Sequence, residues 1–309
     1  MDNKIYYEIA GIVLEVNLPK GIVIEPMEPY CIYRVEKKTP DIFLNYSFVK
    51  QLKLPERLPI YKKDQEKIYE SEEEVIRFVH RCSPILKEID GTVKLEKETG
   101  DFMNRYKKDV PNQYEIFLLE HQTLNEKKIF YTIGLEHLLA TQRAVILHSA
   151  YIDYKGKAIL FSAPSGTGKS TQAELWRMNR EGTEVVNGDR SILTCRDGIP
   201  EANGLPFCGT SKIYKKKTLP IRAIVVLRQG KQNVIHRLRP LEAVQWLLSE
   251  CTVMFGIRQD VENTMDLLTE LVQSVPVFWF SCLPDVSAVS VLEQALIDYE
   301  QEFESKEKK

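Results

Sequence analysis

The stretch Ala158-Ile-Leu-Phe-Ser-Ala-Pro-Ser165-Gly166-Thr167-Gly168-Lys169-Ser170-Thr171 constrains this chain more than any other. The apolar run from Ala158 to Phe161 predicts a buried strand. Gln172, Ala173, Leu175 and Trp176 predict a helix behind the glycine turn. Strand, glycine loop and helix in that order make a cradle for phosphate. The glycines let the backbone curl until successive N–H groups aim at one anion, and the helix N-terminus adds partial positive charge. Lys169 is spaced to reach the β- and γ-phosphates of a nucleotide, and Ser170 to offer its hydroxyl to magnesium. The strict pattern opens on glycine, where this chain has Ala163, but it is intact from Ser165 to Thr171. The expected phosphate-binding set is therefore Ser165, Gly166, Thr167, Gly168, Lys169, Ser170 and Thr171.

A chain of 309 residues has room for one large domain or two ordinary ones. Its 42 basic and 44 acidic residues give a net charge of −2, which argues against nucleic acid or a membrane surface as the main partner. No apolar run is long enough to span a bilayer, and the first residues lack the basic-then-apolar shape of a signal peptide. The six cysteines, Cys31, Cys82, Cys195, Cys208, Cys251 and Cys282, show no zinc-ligand or Cys-x-x-Cys spacing. Reduced thiols and a cytoplasmic location are the expectation.

Residues 1–142 predict a β-rich module of unknown role. Strands are expected over Ile5–Val16, Gly21–Ile24, Tyr30–Val35, Phe43–Phe48, Thr92–Leu95, Tyr114–Leu119 and Lys128–Tyr131, with a helix over Glu72–Cys82. His80, His121 and His137 stand apart in sequence and form no catalytic constellation. A helix from Ile133 to Arg143 leads into residues 143–303. Val145–Asp153 is expected to be a strand carrying His148, followed by the cradle and its helix to Arg180. Further strands are expected over Thr183–Asn187, Ser191–Cys195, Ile221–Arg228, Val234–Leu238 (pairing with the one before it) and Val275–Ser281. Helices are expected over Leu241–Cys251, Glu262–Gln273 and Val286–Phe303. Residues 304–309 read as a charged tail.

A cradle alone does not make a kinase, and two acidic residues bear on that. Asp189 ends the first β-rich stretch after the cradle helix, where a carboxylate can share a magnesium ion with Ser170. Glu201 lies in Ile199-Pro-Glu-Ala-Asn-Gly204-Leu, and by itself it reads as an ordinary surface glutamate. Arg190 and Lys212 could neutralise phosphate charge or be plain surface charges. The basic run Lys212–Lys217 could hold an anionic substrate or be a solvated loop.

Taken together, His148, the Ser165–Ser170 cradle, Asp189-Arg190 and Glu201-Ala-Asn-Gly204-Leu205 resemble, in order and spacing, the HPr kinase/phosphorylase family. The resemblance covers Arg143 to the last helix, and the cradle is also similar to that of ATP-dependent phosphoenolpyruvate carboxykinase. It implies an α/β C-terminal P-loop domain with a mixed sheet, preceded here by a β-rich α+β domain. It implies ATP and magnesium, with Lys169 on the transferred phosphoryl group, with Ser170, Asp189 and Glu201 around the metal, and with His148 beside the γ-phosphate and acceptor. Some members of the wider group phosphorylate serine in peptides or as the free amino acid. The family carries two adjacent aspartates after the cradle helix, the first acting as base, and Gly188 stands at that position here. Asp189 then serves both purposes, or His148 takes the proton, or the alignment shifts by one residue.

The expected function is magnesium-dependent transfer of the γ-phosphoryl group of ATP to a hydroxyl, a serine of a protein or peptide. A kinase of a small hydroxyl metabolite and a nucleotide-binding regulator without transfer activity stand as alternatives, and a homo-oligomer is left open. No Asn-Lys-x-Asp motif points to a translation-type GTPase, and no Leu-Ser-Gly-Gly-Gln segment points to a transporter ATPase.

Overall fold

A computed structural model describes residues 3–89 and 92–307, and of these the side chains other than those of 82–89, 92–99, 303, 304, 306 and 307. The reduced thiol expected at Cys82 belongs to a side chain outside those described. The chain divides into two compact units, residues 1–138 with 255–257, and residues 139–254 with 258–309. Each contains a large mixed sheet.

In the first unit the strands are β1 (Lys4–Ile9), β2 (Ile12–Asn17), β3 (Arg34–Val35), β4 (Ile42–Val49), β5 (Tyr61–Lys63), β6 (Glu66–Glu70), β7 (Glu74–Val79), β8 (Cys82–Ile89), β9 (Thr92–Thr99), β10 (Phe102–Lys107) and β11 (Gln113–Leu119). Among the described residues they form a nine-stranded sheet of order β3-β1-β2-β4-β11-β10-β7-β6-β5, while β8 and β9 pair only with each other. Helix α1 (Glu126–Thr132) follows, then α2 (Leu135–Thr141). Glu126 is fully buried and accepts hydrogen bonds from Tyr7 Oη, Arg34 Nε and the Met27 N–H. A buried carboxylate without donors would be costly, so these three donors fasten β1, β3 and the loop between β2 and β3 to the helix.

Several expectations fail in this unit. Glu72–Cys82 contains strand β7 and not a helix. The Glu74 N–H donates to Ser71 Oγ in a turn, and β10 and β6 take up the backbone groups on both sides. Val75, Ile76, Phe78 and Val79 are apolar in a pattern that suits either period, and the sheet partners decide. Lys128–Tyr131 lies in α1 and not in a strand, because the Asn125 side chain accepts from the Lys128 N–H and caps a helix. Gly21–Ile24 forms no strand, and Tyr30–Val35 is mostly a short 3-10 turn. His137 is buried and stacked on Tyr106 at 4.4 Å, while His80 faces Asp101 at the surface.

The second unit comprises β12 (Ala144–Tyr154), β13 (Lys157–Ser162), α3 (Lys169–Asn179), β14 (Thr183–Asn187), β15 (Arg190–Arg196), β16 (Ile199–Asn203), β17 (Thr218–Gln229), β18 (Val234–Arg237), α4 (Pro240–Glu250), β19 (Cys251–Thr252), α5 (Arg258–Ser274), β20 (Val277–Cys282) and α6 (Val286–Glu307). Two long strands serve two sheet regions each. The first half of β12 pairs with β15 and β19, its second half with β13 and β14. Likewise β17 begins beside β16 and continues between β13 and β20, parallel to both. With both edges of β17 taken, β18 pairs with β20 and not with β17 as its alternation suggests. Trp176 of α3 and Ala288, Val289, Leu292 and Leu296 of α6 cover one face of this sheet. Leu247 of α4 and Leu267, Leu268 and Leu271 of α5 pack in a second core. Helix α6 extends past Phe303 to Glu307, so most of the expected tail is helical. No helix among the described residues is long and apolar enough to cross a membrane.

Candidate phosphate-binding and acid–base site

The cradle has the expected order, with β13, a loop from Ala163 to Gly168, and then α3. Gly166 and Gly168 have φ of 80° and 112°, the left-handed region where a side chain would strain the backbone. Ser165 and Gly166 are exposed, so the loop opens to solvent. Gln229, at the end of β17, donates to the Gly166 carbonyl at 3.1 Å and braces the turn. Lys169 is only 6% exposed, and its Nζ donates to the carbonyls of Ala163 at 2.7 Å and Pro164 at 3.3 Å. Burial lowers its pKa from the usual lysine value, opposed by the carboxylates of Asp189 and Glu250.

The turn after β14 is fixed by Asn187, which is fully buried. Its Oδ1 accepts from the N–H groups of Asp189 and Arg190, and its Nδ2 donates to the carbonyls of Leu205 and Phe207. One side chain thus holds the Asp189 turn and the loop after β16 together, with all four of its amide hydrogen-bonding positions used. Ser170 Oγ donates to the Gly188 carbonyl at 3.3 Å, one residue before Asp189. The cradle hydroxyl and the acidic turn therefore adjoin.

His148 lies on β12 opposite Arg190 of β15. Its Nε2 is 3.4 Å from Asp189 Oδ1, and its Nδ1 is 3.4 Å from Glu250 Oε2. Asp189 sits below the usual carboxylate range, chiefly through the hydrogen bond from His148, against the effect of burial and with help from Arg190 and Lys169. Arg190 is itself held by Thr252 Oγ1 at 3.0 Å and lies 3.4 Å from Asp189 Oδ2.

Glu201 is not brought to this cluster. It pairs with Thr194, five residues along β15 from Asp189, which is roughly 16 Å at the usual rise per strand residue. In the basic run, Lys215 and Lys217 are ion-paired with Glu184, and Lys217 also with Asp153. Glu250 is a member of the cluster that the sequence alone does not single out. Its only signal there is an acid at the last position of an amphipathic helix, where the helix dipole disfavours a carboxylate.

Ser170 and Asp189 offer hard oxygen ligands, the kind magnesium takes alongside phosphate oxygens and water. No group of three or more His, Cys, Asp or Glu side chains among the described residues is arranged as a self-sufficient metal cage.

No protein-family model matches this chain. No curated protein matches it either. Among solved structures it is similar to the Hpr(Ser) kinase/phosphatase from Coxiella burnetii, with 11% identity and a TM-score of 0.32, over 53% of this chain and 94% of that one. A likeness of that size carries no argument, and the functional reading rests on the site's geometry.

Proposed function

We propose that this protein is a kinase that moves the γ-phosphoryl group of ATP to a hydroxyl, a serine of a protein or peptide. The observation that carries the reading is the convergence of Lys169, Ser170, Asp189 and His148 at the mouth of one glycine loop. The loop N–H groups and the α3 N-terminus would hold the phosphates, with Lys169 turning from the loop carbonyls to the β- and γ-oxygens. Ser170 and Asp189 would hold magnesium, which when bound neutralises charge on the transferred group.

His148, when its ring is neutral, receives the acceptor's proton. The acceptor O–H bond breaks as its oxygen bonds to the γ-phosphorus, and the bond from that phosphorus to the bridging oxygen breaks. ADP departs with that electron pair. Arg190 stands beside Asp189 as a further positive charge at the site.

The test is incubation of the protein with ATP labelled at the γ-phosphate, magnesium, cell extract and a metabolite pool, with Asp189→Asn as the control. Label in serine of a protein supports the reading, and label in a small molecule replaces the acceptor class. No label anywhere, together with tight ATP binding, makes the protein a nucleotide-binding regulator.

A further inference from the structure

We infer that Asn187 is a positioning residue, whose buried amide holds the Asp189 turn and residues 204–217 as one piece and so sets how well the Asp189 carboxylate holds a metal ion. This rests on the kinase reading for the metal's part in transfer, but the coupling of turn and loop stands apart from it. Asn187 is the last residue of β14, next to a break in that strand's register with β12. Beyond it, the N–H groups of Asp189 and Arg190 donate to its Oδ1 at 2.9 and 3.0 Å. Its Nδ2 donates to the carbonyls of Leu205 and Phe207 at 3.0 and 3.1 Å. Two donors on one side and two acceptors on the other call for a neutral amide. A carboxylate could not donate, and an alanine would leave all four backbone groups without these partners.

The loop held in this way leans on the carboxylate itself. Its two ends are drawn together by the Gly204 N–H, which donates to the Lys217 carbonyl at 2.9 Å, and Tyr214 bridges back to Asn187. Between those points, a Cβ at Gly209 would lie 2.8 Å from Asp189 Cγ, so the loop backbone packs against the carboxyl group with no room for a side chain. Asp189 also faces His148 and Arg190, each at 3.4 Å. Its carboxylate is therefore pinned between strand residues and the loop, and Asn187 is the side chain that bonds to both turn and loop. The phosphate cradle is held by other means, through Gly166 and Gly168 in the left-handed region and through Gln229 on the Gly166 carbonyl. Losing the Asn187 amide should loosen the metal ligand and spare the cradle. Outer partners that fix a ligand's place are worth nearly as much to a metal site as the ligands.

The experiment uses the full chain, with Asn187→Ala and Gly209→Ala, and reads two affinities without turnover. Manganese with ADP is titrated by electron paramagnetic resonance, and ADP alone, with a chelator present, by calorimetry. Asn187→Ala should bind manganese about ten- to a hundred-fold more weakly than the parent. Metal-free ADP affinity should stay within about two-fold. Gly209→Ala presses a methyl group on the Asp189 carboxyl from an exposed loop position, and should show the same split. It decides the matter alone if Asn187→Ala does not fold. Hydrogen exchange of the Asp189 and Arg190 amides, slow in the ligand-free parent, should quicken in Asn187→Ala. Unchanged manganese affinity in folded variants overturns the assignment. So does an equal loss of both affinities, which would mark a general collapse of the site, and so does a parent that holds no manganese. A parent and variants that show the split while no acceptor is ever labelled would sink the kinase reading and leave the role of Asn187 standing.

Discussion

Gly188 has no side chain because Ser211 fills the space one would need. A Cβ there would lie 2.4 Å from Ser211 Oγ and 2.5 Å from Ser211 Cβ, while the backbone of Gly188 is not in the left-handed region. The aspartate that the family resemblance would put at this position is therefore excluded by packing and not by φ. Gly188→Asp alone should unfold at lower temperature than the parent and lose activity. The double variant with Ser211→Gly should regain part of both, a coupling readable by denaturant titration of the four-member cycle. Equal destabilisation with and without Ser211→Gly would show that the contact is not the cause. Lys169→Ala should abolish transfer and strongly weaken ATP binding by calorimetry, because the loop loses its only full positive charge. His148→Ala should lower turnover by about two to four orders of magnitude with little change in ATP affinity. Full turnover in that variant would rule out His148 as the base.

Helices α3 and α6 are tied to the end of β12 by one carboxylate. Glu293 of α6 accepts from Tyr154 Oη at 2.7 Å and Arg180 Nε at 2.7 Å, and Arg222 of β17 forks onto Glu300 with two 2.9 Å bonds. Burial alone would raise the pKa of Glu293, but the bonds from Arg180 and Tyr154 outweigh it, and the group sits below the usual glutamate value. The sign follows from linkage. A carboxylate with a lowered pKa in the folded state stabilises above its unfolded value, and loses that stabilisation as pH falls through the folded one. Below about pH 4.5 the contribution therefore fades. Thermal midpoints measured from pH 7 to pH 3 should fall less steeply in Glu293→Gln than in the parent. Parallel curves would mean that the ion pair carries no linked stability.

At the scale of the molecule, each unit has apolar packing of its own. In the first, Tyr69, Ile76, Phe78 and Met103 pack together and Glu126 adds a buried polar tie, and the second has two apolar cores on its sheet. The cradle belongs wholly to the second unit. A ligand that binds only the folded state stabilises it by mass action, about 2.7 kcal/mol at a hundred times Kd. Magnesium and ATP at that level should raise the unfolding temperature of the parent by a few degrees, and should leave Lys169→Ala unmoved. An equal rise in both would place the nucleotide somewhere other than the cradle.

The strand, glycine loop and helix from Ala158 to Trp176 are legible in sequence because their cause is local. Glycines at two left-handed positions and a short apolar run need no distant partner to be recognised. Asp189 and His148 are legible as candidates, since each ends or lies on a strand that its own apolar neighbours define. Where local signals allow two periods, as at Glu74–Val79, or give an alternation without naming its partner, as at Val234–Arg237, the sheet makes the choice. Where Glu201 and Glu250 stand relative to Asp189 and His148 is decided only in three dimensions. Strand register is set by hydrogen bonds between segments far apart in the chain, and the pairing of β19 with β12 brings residue 250 to residue 148 while β16 carries residue 201 away from Asp189.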